Sequence, residues 1–137
     1  MLSHLHNHPS QLPPYTRFLY TTRFPPSSDP SRILFYNRTH SLFESQPSDN
    51  RSLDLYLTGG SGDIHTEGME TQGDSNSRIR HRRFSHEDLL EALGDVKERK
   101  GVVAYVCGPP SMTDEVVGTL RGAEGMDEHR VLCEKWW

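Results

Sequence analysis

Apolar residues come in short runs separated by long polar stretches, and the runs follow two periods. Residues 16–22, Thr-Arg-Phe-Leu-Tyr-Thr-Thr, are aromatic and β-branched and predict a strand. Residues 53–58 alternate Leu-Asp-Leu-Tyr-Leu-Thr and predict another. Between them, Asp29 or Ser31 is placed to cap a helix carrying Ile33, Leu34, Phe35, Leu42 and Phe43. Residues 1–5 read as the tail of a helix stopped by Asn7 and Pro9. Ser85, followed by His86, Glu87 and Asp88, caps a helix whose apolar face is Leu89, Leu90 and Leu93 and whose end is Gly94. Residues 102–106 predict a buried strand, 113–121 a helix and 130–134 a last strand. Strands alternating with helices point to an α/β fold with a mainly parallel sheet.

Residues 59–77 hold Gly, Ser, Asp, Glu and Gln with almost no apolar content. A loop of that length is uncommon inside a compact domain, so the stretch is expected to be a disordered insertion. Composition agrees: 33% of the 137 residues are hydrophobic, 25% are charged and the mean hydropathy is −0.72. That leaves roughly 100 residues of folded material, enough for one domain spanning 1–137. A net charge of −4 gives no global basic footprint for nucleic acid. No apolar run approaches the length of a membrane span, and the first twenty residues lack a secretory pattern. Cys107 and Cys133 do not make a disulfide framework, which favours a reducing compartment.

The candidate chemistry concentrates at residues 105–112, Tyr-Val-Cys-Gly-Pro-Pro-Ser-Met. Cys107, Gly108 and Pro109 fall where a strand gives way to a helix, the edge at which open α/β sheets bind ligands. Gly108 allows close backbone approach, and Pro109 and Pro110 suit a helix start. Cys107 is either part of such a site or a plain buried thiol. Thr21, Thr22 and Arg23 end a strand at the same kind of edge. They either meet ribose and phosphate or are a β-branched strand end with a solvated arginine. Arg78, Arg80, Arg82 and Arg83 with His81 form a basic run that meets phosphates or an acidic partner, or is simply a solvated loop. His4, His6 and His8 have no neighbouring ligands to complete a metal set. Thr113, not Arg, stands six residues after Cys107, so the usual phosphatase loop is absent.

Residues 105–112 and the terminal Arg130-Val131-Leu132-Cys133-Glu134-Lys135-Trp136-Trp137 together resemble the carboxyl-terminal end of ferredoxin–NADP reductase-type flavoproteins, among them the oxidoreductase NAD-binding domain-containing proteins. Phe18-Leu19-Tyr20-Thr21-Thr22-Arg23 resembles the second strand of their nicotinamide-binding domain. The resemblance implies a partial doubly wound parallel sheet, NAD or NADP as cofactor, and hydride transfer from nicotinamide to flavin. It implies Cys107 and Trp137 at the reacting end. Thr21, Thr22, Arg23, Cys107, Gly108, Pro109, Pro110 and Met112 would contact the cofactor. FAD would come only from a missing or separate flavin-binding domain or chain. Neither the first strand nor its Gly-rich turn is found; Gly59-Gly60-Ser61-Gly62 precedes polar sequence, not a helix. The expectation is an amino-terminally truncated chain, inactive alone, whose strands either pair directly across the gap or split into two sheets. The alternative is a non-catalytic remnant or interaction module. A third reading, a thiol-dependent activity at Cys107, rests only on its place at a helix start. An intracellular protein is expected, mitochondrial by resemblance or otherwise cytoplasmic.

Overall fold

The computed structural model describes residues 13–23, 30–44, 50–59, 70–72 and 76–136. They build strands and helices in the order β1 (Thr16–Arg23), α1 (Tyr36–Glu44), β2 (Arg51–Thr58), β3 (Glu70–Gln72), β4 (Ser77–Arg80), α2 (His86–Leu93), β5 (Ala104–Gly108), α3 (Pro110–Gly122) and β6 (Val131–Lys135). The chain forms two compact units, Met1–Arg83 and Phe84–Trp137. Parallel sheets with three helices give a small α/β protein, consistent with a partial nucleotide-binding fold. Among the described residues the strands do split into two sheets, one of four strands and one of two.

The first unit is built on β2. β1 and β4 flank it in parallel, and β3 adds an antiparallel edge. Leu53, Leu55 and Leu57 point to one face of β2, where Leu42, Phe43, Phe18, Ile33, Tyr36, Tyr20 and Ile79 gather around them. Ser52, Asp54 and Tyr56 point to the other face and are also buried. β2 is thus covered on both sides, as central parallel strands are.

In the second unit one face of the β5–β6 sheet packs on α2 and α3. Val106, Val116, Val117, Leu120, Leu93 and Val131 form this core. Ser85 caps α2 as expected: its hydroxyl accepts from Asp88 N–H, and Asp88 Oδ2 accepts from Ser85 N–H at 2.6 Å. Gly94 ends the helix at φ 75°. Arg99, a residue the sequence reading passed over, sits under this corner. Its guanidinium donates to the carbonyls of Gly94, Glu124 and Leu90 at 3.0, 3.1 and 3.3 Å. A cation is well placed at the carboxyl end of α2.

Several expectations change. The helix expected to carry Ile33, Leu34 and Phe35 begins only at Tyr36, because Phe35 has a φ of 65° that no helix accommodates. Leu34 and Phe35 are exposed, at 65% and 48%. Residues 78–83 are not simply a loop: β4 runs through the basic run, and Arg80 is buried. Of the expected insertion 59–77, Gly59 continues from β2, and Glu70–Gln72 and Ser77 lie in strands. Residues 60–69 and 73–75 lie outside the described residues, as do residues 1–12 with their predicted helix tail and His4, His6 and His8. The strand expected at 102–106 runs two residues later and is buried on one face only, since Val103 and Tyr105 are exposed.

Candidate functional site

β5 ends at Gly108 and α3 starts at Pro110, so the whole Cys-Gly-Pro-Pro segment is the strand-to-helix turn. Pro109 takes the cap position with φ −57° and ψ 146°, a conformation proline adopts without strain. Pro110 opens the helix where a missing N–H costs nothing. The first helical bond is Thr113 N–H to the Pro109 carbonyl at 2.9 Å. The N–H groups of Ser111 and Met112 precede it and face the amino-terminal end of α3, where the helix carries partial positive charge.

The Gly108 carbonyl is spoken for. Thr113, fully buried, donates its hydroxyl to it at 3.1 Å, and Trp136 N–H donates at 3.0 Å. The turn is therefore tied to α3 on one side and to the end of β6 on the other. A Cβ at Gly108 would overlap the Met112 methyl group, so the space glycine leaves is filled by Met112.

Cys107 is exposed, which overturns the plain buried-thiol alternative. Its register partner on β6 is Glu134, and Tyr105 lies two residues earlier on the same face. The Tyr105 hydroxyl donates to Glu134 Oε2 at 2.5 Å. That hydrogen bond, more than any other influence, pushes the Tyr105 phenol up to about 12, with smaller contributions from desolvation, the Glu134 charge and Cys107. Tyr105, Cys107 and Glu134 thus form an exposed polar group at the carboxyl edge of the β5–β6 sheet. Sequence reading missed Tyr105 and Glu134. Their grouping comes from the register, since the parallel pairing of 104–108 with 131–135 sets Cys107 opposite Glu134. Behind them, Lys135 Nζ lies 2.6 Å from Asp114 Oδ1, and this contact raises the Lys135 pKa.

The structure places the other expected residues in the first unit. Thr21, Thr22 and Arg23 end β1, with Arg23 paired to Thr58 in register and exposed. The Thr58 hydroxyl donates to the Thr22 carbonyl at 3.3 Å. The structure therefore groups the expected residues as two sets: Thr21, Thr22 and Arg23 in one unit, and Cys107, Gly108, Pro109, Pro110 and Met112 in the other. Trp137 lies outside the described residues, and Trp136 is exposed. Among the described residues no group of three His, Cys, Asp or Glu side chains could hold a metal ion. No described helix is long and apolar enough to cross a membrane.

No family model matches the chain, and no solved structure matches it. Among curated proteins it is 28% identical over 134 residues to oxidoreductase NAD-binding domain-containing protein 1 of Danio rerio. The alignment covers 98% of this chain but 43% of that protein, so the chain spans less than half the length of the relative it matches. A curated homologue of this chain is thus an oxidoreductase NAD-binding domain-containing protein, matched along nearly all of the chain and part of the homologue.

Proposed function

We propose that this chain is the nicotinamide-dinucleotide-binding portion of a flavin-dependent NAD(P)H oxidoreductase, with both compact units belonging to one nucleotide-binding domain. The observation that carries the proposal is the tethered Cys107–Pro110 turn, set at a sheet's carboxyl edge in a chain homologous to a protein named for NAD binding. The residues present fit such a ligand. Cys107 is exposed, Glu134 and Tyr105 flank it with hydrogen-bonding groups, and the first-turn N–H groups of α3 come next. When bound, the nicotinamide would supply a hydride to a flavin held by another domain or chain.

On this reading Cys107 shapes and polarises the pocket for the nicotinamide ring and is not a nucleophile. Pro109, Pro110 and Met112 fix the turn around it. Thr21, Thr22 and Arg23 hold the adenosine end. Trp137 covers the reacting face. The alternative, a non-catalytic remnant or interaction module, draws its support from the split sheets and from the exposed Val103 just before β5 and Tyr105 and Leu132 on β5–β6.

The deciding experiment uses a longer protein that carries a flavin domain. Cys107→Ser is expected to slow hydride transfer roughly ten- to several-hundred-fold, a loss of one to a few kcal/mol in the barrier. kcat and kcat/KM should fall together while binding of the adenosine end persists. Stopped-flow flavin reduction measures it. An unchanged rate would leave the exposed Cys107 with no part in hydride transfer.

A further inference from the structure

Residues 81–85, His-Arg-Arg-Phe-Ser, link β4 to α2 outside any helix or strand. Ser85 ends this link in an extended conformation, φ −106° and ψ 175°. It is part-exposed, and its Oγ accepts from Asp88 N–H at 3.3 Å, a long hydrogen bond. Arg82 and Arg83 stand three and two residues before it, and residues 78–83 hold four arginines and no acid. Arg83 is exposed and Arg82 part-exposed. An accessible hydroxyl that ends an extended, arginine-bearing segment suits a kinase groove lined with carboxylates. Each guanidinium can make charge-assisted, fork-shaped pairs there.

The residues after Ser85 tell against the opposite kind of kinase, one that reads acidic substrates. Glu87 and Asp88 do give the serine an acidic flank in sequence. Asp88, however, is only 8% exposed, and its Oδ2 accepts from Ser85 N–H at 2.6 Å. That carboxylate is turned back into the helix cap and is not offered to a partner. Ser41 also has an arginine three residues before it, Arg38, but both lie in α1. That helix would have to unwind before the segment could lie extended in a groove, whereas the link before Ser85 is already extended.

We propose that Ser85 is a phosphorylation site for a basophilic protein kinase that recognises Arg82 and Arg83. In the transfer, Ser85 Oγ attacks the γ-phosphorus of a nucleoside triphosphate. The Oγ–P bond forms, the bond from that phosphorus to the β–γ bridging oxygen breaks, and the nucleoside diphosphate leaves. The hydroxyl proton passes to the catalytic base of the kinase. The phosphate brings about −1.5 to −2 charge at pH 7, which roughly halves the positive charge of the four arginines at 78–83. Ser85 thereby acts as a charge switch on the basic run.

The test incubates the full chain with Mg²⁺, ATP and the catalytic subunit of cAMP-dependent protein kinase, and in parallel with the acidophilic casein kinase II. Mass spectrometry locates the phosphate and follows its rate of appearance. The expected result is one phosphate, on Ser85, delivered faster by the basophilic enzyme. Arg82→Gln and Arg83→Gln should each lower kcat/KM about ten- to a hundredfold, the scale of one charge-assisted hydrogen bond. Ser85→Asn, which keeps a capping side chain but has no hydroxyl, should abolish labelling. Unfolding would expose the segment and speed labelling, so a slower arginine variant reports lost recognition and not a lost fold. Phosphate placed chiefly on Ser41 or elsewhere, rates indifferent to both arginines, or faster labelling of Ser85 by casein kinase II would each overturn the proposal.

Discussion

The two units place charge and exposure in opposite ways, as β2 of the first and β5 of the second show. In the first, β2 is covered on both faces and carries Asp54 inside, tied to Arg78 and close to Arg80. In the second, β5 is buried on one face only, and the other presents Tyr105 and Cys107 beside Glu134. The lesson is that polar residues on similar parallel strands do different work. Asp54 spends its charge holding β4 against β2, whereas Cys107 and Glu134 remain reachable by a ligand.

The largest expected effect comes from breaking the buried pair. Asp54→Ala should destabilise the chain by ~2–4 kcal/mol, because it removes the buried carboxylate that Arg78 and Arg80 both face. Denaturant unfolding measures the loss, and hydrogen exchange should locate it in β2 and β4. A change under about 0.5 kcal/mol would remove the claim that the ion pair holds this sheet together.

The matching perturbation of the second unit is Gly125→Ala. Gly125 has a φ of 81°, and an added Cβ would run into the Val96 carbonyl. The expected cost is about 1–3 kcal/mol, with protection lost around α2 and α3. A neutral substitution would show that this corner yields more readily than the fold suggests.

A smaller effect sharpens the exposed side of the comparison. Because the folded Tyr105 pKa is raised to about 12, the neutral phenol is the form the fold favours. Its contribution is fully present below the ordinary tyrosine value of 10.0 and is lost as pH rises towards about 12. Tyrosinate absorbance should show a component titrating near 12 that Glu134→Gln moves towards 10. Burial also raises Tyr20, so that residue contributes its own late component. If Glu134→Gln leaves the high component of Tyr105 unmoved, the hydrogen bond does not govern that phenol.

The sequence made β1, β2, α2, α3, β6 and the Ser85 cap legible, because apolar periodicity and capping chemistry are local. It hid β4, where arginine on every second residue disguised a strand whose polar partner, Asp54, lies on another strand. It misplaced the start of α1, because nothing in the residue types announced the left-handed Phe35. Cys107, Gly108 and the two prolines were legible as a strand-to-helix turn. Glu134 and Tyr105 were not, because their role depends on the register between β5 and β6.

The central claim is that the Cys107 turn receives the nicotinamide end of a dinucleotide. Amide-detected titration of the labelled chain with NADPH tests it most directly. The expected result is saturable shift changes at Cys107, Gly108, Ser111 and Met112 with a dissociation constant of about 1 mM or weaker, since among the described residues no Gly-rich turn opens a helix to cradle the pyrophosphate. Resonances of this turn that stay fixed up to roughly 10 mM NADPH would contradict the account.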